Sequence, residues 1–204
     1  MLKMIKYVIV LNVFLLCTLL FFSCNKVEQV NVVKKCYYNL YSKEGNLIGY
    51  SLRKYVFVDD TIFEKYLSVN LKGSETNSYK NVFLRDGNDV FIFSNIKNDN
   101  KKYLYFSESK KDTCIHINRK LGNFYLCNKG KVNFNNYKNV YKVYYDERGY
   151  DSRKESLILD KDYTILARFE DCYSYRKEII QDKNILNKNI VLILDKAASQ
   201  VLWW

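Results

Sequence analysis

The sequence predicts an all-β fold, mainly antiparallel, built as a single sandwich or as a strongly curved sheet or partial barrel. Three observations carry that expectation. The chain holds 19 Tyr and 12 Phe but no Pro and only seven Gly, and aromatic rings suit the half-buried pleated surface of a strand. Beyond residue 36, apolar and polar residues alternate with a period of two over many short stretches. Turn-forming residues interrupt the alternation at hairpin spacing.

The first element in the chain is of another kind. Lys3 and Lys6 precede a run from Tyr7 to Phe22 that carries no charge. A basic segment followed by an apolar one is the layout of a secretory signal, here a signal helix over residues 1–23. The uncharged run would extend about 24 Å as a helix, short of the roughly 20 residues a membrane-spanning helix needs. It closes in Phe21-Phe22-Ser23-Cys24, and Asn25 follows. These residues resemble the lipobox of bacterial lipoproteins, in which a small residue precedes a cysteine that is lipidated and becomes the mature N-terminus. Ser23 matches the small residue and Cys24 the acceptor, while Phe21 and Phe22 depart from the usual Leu and small residue. The resemblance implies acyl chains on Cys24, membrane attachment through them, and location in the cell envelope. Asn25 in place of Asp implies the outer membrane of a Gram-negative bacterium. Two or more acyl chains hold a protein stably on a bilayer, so no spanning helix is required.

Residues 24–35 then read as a tether and 36–204 as one β-rich domain, since no Pro-, Gly- or Ser-rich linker divides the remainder. In residues 48–58, Ile48, Tyr50, Leu52, Val56 and Val58 share one face of a strand, and Ser51 and Arg53 the other. "NVFLRDGNDVFIFSN" places two apolar runs around Asp86-Gly87-Asn88, a hairpin with a short Gly-containing turn. "YLYFSESKKDTCIHI" and "SLILDKDYTILARF" repeat the pattern with polar connections at 107–112 and 160–162. Residues 139–145 form a further strand. Segment 164–180 fits a strand better than a helix, with a helical turn near 176–188. The end reads as a short apolar run, "NIVLIL", followed by a short helix in "DKAASQVL" and a tail at Trp203-Trp204.

Of six cysteines, Cys17 leaves with the leader and Cys24 takes lipid; four remain, as a disulfide framework in an exported chain requires. In "CIHINRKLGNFYLC", an antiparallel register with Cys114 opposite Cys127 also sets Ile115 against Leu126 and Ile117 against Phe124. The cysteines then share one face and the apolar pairs the other. Elimination leaves Cys36 to pair with Cys172; the alternative is that all four thiols are reduced and buried.

Signals of chemistry are sparse. His116 is the sole histidine, and no C-x-x-C, P-loop, G-x-S-x-G or G-x-G-x-x-G occurs, so no catalytic residue, metal or cofactor is expected. Asp59-Asp60, Asp160 with Asp162, and Glu170-Asp171 are the carboxylate pairs a hydrolase would draw on, although Asp160 and Asp162 sit where a turn belongs. The formal charge of +11 falls by two when the leader is removed. The lysines are scattered rather than gathered in a basic stripe, which argues against nucleic acid as a partner. Tyrosines in "CYYNLY", "NVYKVYY" and "DCYSYRK" lie on both strand faces, where one face can contact an envelope protein or a glycan. The reading is a membrane-anchored, non-enzymatic binding or assembly module. The alternatives are a lipid or lipoprotein carrier with an apolar cavity in a curved sheet, and a carboxylate-based hydrolase. Oligomeric state leaves no signal.

Overall fold

The computed structural model describes residues 32–93, 101–110, 114–119, 122–148, 154–171 and 176–199. Phe21, Phe22, Ser23, Cys24, Cys172 and Trp203-Trp204 lie outside the described residues, as does the expected signal helix. The unit from Val32 onward begins with β1 (Val32–Tyr41), β2 (Leu47–Val58), β3 (Thr61–Asn70), β4 (Glu75–Asp86), β5 (Asp89–Phe93) and β6 (Lys102–Ser107). It continues with β7 (Cys114–Arg119), β8 (Gly122–Phe134), β9 (Tyr137–Arg148), β10 (Lys154–Leu159), β11 (Ile165–Asp171) and β12 (Arg176–Gln181), and α1 (Lys188–Ser199) follows. The first strand therefore starts four residues inside the segment read as a tether.

All twelve strands join one antiparallel sheet in the order β6-β5-β4-β3-β2-β1-β12-β11-β10-β9-β8-β7. Two meanders meet at the β1–β12 pairing, where Tyr38 faces Ile180 and Leu40 faces Glu178. Strand twist curls a sheet of this size, and its two ends approach each other. Asn128 on β8 donates to the Ser107 carbonyl on β6 at 2.7 Å, and the Tyr145 hydroxyl on β9 donates to the Tyr105 carbonyl on β6. The result is a nearly closed barrel. The β4–β5 hairpin turns at Gly87, whose φ of 60° suits a residue without a Cβ.

The inner wall is apolar and aromatic toward the end that holds the β2–β3 and β10–β11 turns. Tyr38, Phe106, Leu126, Val143, Leu157 and Leu159 are its most deeply buried members. On the outside, α1 lies over Tyr37, Leu52, Leu67 and Val69 through Ile190, Val191, Leu194 and Ala198. Both faces of β2 are therefore covered. The face that carries Leu52 is the outer one, under the helix, and Arg53 points into the barrel at 1 % exposure.

α1 differs from the expectation at its start. Asn187 Oδ1 accepts the backbone N–H of Asn189 at 2.9 Å, an N-cap that starts the helix before "NIVLIL", so the apolar run supplies the helix's buried face. Residues 176–181 continue as strand β12 because they pair with β1 on one side and β11 on the other. No helix among the described residues is long and apolar enough to cross a membrane.

Candidate functional site: a charged layer inside the barrel

The sequence alternation that points Arg53 inward does the same for its neighbours across the sheet. Arg53 on β2 lies opposite Tyr66 on β3, and Tyr66 opposite Tyr79 on β4. On the other meander, Arg168 on β11 lies opposite Glu178 on β12 and Leu157 on β10, and Glu170 opposite Glu155. Curling the sheet brings the two groups together in the half of the barrel away from the apolar layer.

The contacts form one network. Arg53 Nη1 donates to Glu64 Oε1 at 2.7 Å and Nη2 donates to Glu178 Oε2 at 2.6 Å. Asn81 donates to the second Glu64 oxygen at 2.7 Å, and the Ser51 hydroxyl donates to Glu178 Oε1. The guanidinium of Arg53 lies 4.6 Å from the ring centre of Tyr66, which stacks on Tyr79 at 4.5 Å. Tyr79 accepts from Arg53 at 3.2 Å and from Arg168 at 3.3 Å, so its hydroxyl joins the two arginines. Arg168 donates to Glu155 at 3.0 Å and is ion-paired with Glu170.

Removing these charges from water is costly, and the pairing repays the cost only while both partners remain. Burial acts to raise the Glu178 carboxyl, but the charge and hydrogen bond of Arg53, with help from Arg168 and Ser51, hold it below the ordinary carboxylate value. Burial likewise acts against the charge on Arg53, and Glu178, Tyr79 and Glu64 overcome it. Glu155 goes the other way. Burial first, then the neighbouring Glu170 charge, pushes it up to about 8. In this layer Glu178 is thus held in its charged form while Glu155 is poised to exchange a proton near physiological pH.

Glu155 and Glu170 sit on the same guanidinium, so that pair does not straddle a sugar as glycosidase carboxylates do. Of the other carboxylates the sequence singled out, Asp171 is exposed at the end of β11 and the rest belong to turns. Asp160 accepts the backbone N–H groups of Asp162 and Thr164 at 2.9 Å each and pairs with Lys34, while Asp162 lies 3.6 Å from Lys34. Asp59 occupies the β2–β3 turn at a positive φ of 49°. Beneath the charged layer a cavity of about 10 Å³, bounded by Tyr55, Glu64, Phe83 and Tyr105, has room for about one water molecule. An acyl chain does not fit there. Among the described residues no group of three His, Cys, Asp or Glu side chains is placed to hold a metal ion.

Cys114 and Cys127 are joined by a disulfide, in the register that sets Ile115 opposite Leu126 and Ile117 opposite Phe124. The pairing of Cys36 with Cys172 is corrected. Cys36 is a free, buried thiol, held protonated chiefly by burial. The ladders run from Tyr37 to Gln181 and from Ile179 to Ala167, which puts Cys36 level with the start of β11. Asp171, the last residue of β11, is therefore about 20 Å farther along the barrel, well beyond the ~7 Å a disulfide allows between Cα atoms.

His116 is exposed and packs on Tyr125 with ring centres 5.1 Å apart. In the segments "CYYNLY" and "NVYKVYY" Tyr41 and Tyr144 are half-buried and the other tyrosines are buried. Tyr37, Tyr38, Tyr141 and Tyr145 are all below a tenth exposed, and all but Tyr37, which lies under α1, fill the barrel interior. The charged layer itself went unread in the sequence, because an Arg or Glu on a strand ordinarily marks the solvent face. Its one signal is that Ser51 and Arg53 flank Leu52, which α1 covers.

No protein-family model matches the chain, and no curated protein matches it in sequence. Two solved structures are similar in outline. One is a protein from Bacteroides fragilis described as exported and with a YmcC-like fold; it is 9 % identical over 72 % of this chain and 92 % of its own, with a TM-score of 0.48. The other, from Parabacteroides distasonis, is described as a lipoprotein and is 10 % identical over 76 % of this chain and 95 % of its own, with a TM-score of 0.46. At that level of likeness no residue's role carries over.

Proposed function

We propose that the protein is a lipoprotein of the bacterial cell envelope, anchored through Cys24 to the outer membrane, whose barrel serves as a non-enzymatic binding or assembly module. The observation that carries this reading is Ser23-Cys24 at the polar edge of a basic-then-apolar leader. The Cys114–Cys127 bridge supports it, since disulfides persist outside the reducing cytosol. Among the described residues the barrel interior is packed with side chains around a cavity with room for about one water molecule, which supports a binding module over a carrier.

The test is replacement of Cys24. The Cys24→Ala protein is expected to leave the detergent-extracted membrane fraction while its Cys114–Cys127 disulfide still forms. Membrane association unchanged by the substitution would refute the anchor.

A further inference from the structure

The outer wall of β1–β4 carries an uncommon arrangement. Lys35 lies opposite Lys54, Lys54 opposite Lys65, and Lys65 opposite Lys80. Four lysines thus stand in a single row across four adjacent strands, about 5 Å apart. Like charges directly opposite one another oppose strand pairing. α1 answers part of the charge: Asp195 pairs with Lys35 at 2.6 Å, and Lys65 donates to the Ala197 carbonyl at 3.0 Å. Burial and then the charges of Lys80 and Lys54 depress the Lys65 ammonium, so the members of the row feel one another. Lys80 is exposed and Lys54 half-buried.

Two residues farther along each strand, on the same face, the next row is Val33, Val56, Phe63 and Val82. Val33 is 51 % exposed and the other three are half-buried. α1 packs on the opposite side of the lysine row, over Leu52 and Leu67. A strip of apolar side chains bordered by lysines is the chemistry of a membrane interface, with the apolar atoms entering the headgroup boundary and the ammonium groups reaching the phosphates.

The chain itself brings a membrane within range. Cys24 and Val32 are eight residues apart in the sequence, a span of at most about 28 Å. Val33 and Lys35 belong to the first residues of β1, so these rows begin beside the point where the tether enters the barrel. We propose that the outer face of β1–β4 docks on the anionic phospholipid headgroups of the leaflet that holds the anchor. Lys54 and Lys80 contact lipid phosphate, and Val33, Val56, Phe63 and Val82 rest at the interface. The inference depends on the reading of Cys24 as lipidated.

The test uses the lipidated full-length mature chain in vesicles of phosphatidylcholine, or of phosphatidylcholine with phosphatidylglycerol. Acetylation of each lysine is followed by mass spectrometry, with the exposed Lys138 as reference. The expected result is flotation with both vesicles, acetylation of Lys54 and Lys80 slowed roughly tenfold on the anionic ones alone, and no change at Lys138. Flotation with both vesicles at equal rates overturns the docking while leaving the anchor in place. Equal protection by inorganic polyphosphate without vesicles also overturns it, by showing a site for soluble polyanions. Failure to float with phosphatidylcholine removes the anchor, and the proposal with it.

Discussion

Glu155 holds a proton near neutral pH because burial and the adjacent Glu170 charge both disfavour its ionised form. Its pKa is raised on folding, so the folded state binds more protons than the unfolded chain between about pH 4.5 and 8. The contribution of Glu155 is therefore complete below that window and declines as pH rises through it, by up to about 1.4 kcal/mol per pH unit. Glu155→Gln keeps the shape and removes the titration. Denaturant unfolding should show the variant gaining on the parent steadily from pH 5 to 8, with a constant difference at lower pH; parallel profiles would refute the assignment. Residues differ in how far the sequence exposes such roles. Cys114 and Cys127 were legible because the apolar pairs beside them fix a register. Arg53 and Glu64 were not, since a strand covered on both faces gives no outward sign of which side is interior.

At the scale of elements, hairpins were readable wherever turn chemistry was local, as at Asp86-Gly87-Asn88, and the strand assignment over 164–180 agrees with β11 and β12. The helix was only partly readable, because "NIVLIL" has the composition of a buried strand and only the Asn187 cap places it within α1. Ile190, Val191, Leu194 and Ala198 follow helical spacing, and they rest on strand residues whose exposure sequence alone does not give. Leu194 is fully buried beneath α1. Leu194→Ala should cost about 2 to 5 kcal/mol by loss of apolar contact and opening of a cavity. A change in unfolding midpoint corresponding to less than about 1 kcal/mol would mean that the helix packs only loosely on the barrel.

For the whole molecule, curvature was legible as a choice among closed and curved sheets, whereas the central β1–β12 pairing was not, because it joins strands from the two ends of the domain. Closure rests on a few side chains that bridge the ends of the sheet. Asn128 is buried and donates to the Ser107 carbonyl, so Asn128→Ala leaves a buried acceptor unpaired at a cost of about 1 to 3 kcal/mol. Hydrogen exchange should accelerate in β6 and β8 before it does in β1 or β2; uniform acceleration would mean that closure is held elsewhere. On the proposed reading the barrel supplies a rigid scaffold and the leader its location. The most direct test of the account is the intact mass of the protein extracted from membranes. A chain that starts at Cys24 and carries the added mass of a diacylglyceryl group and an acyl chain is the predicted result. A chain that retains residues 1–23 with an unmodified Cys24 would contradict it.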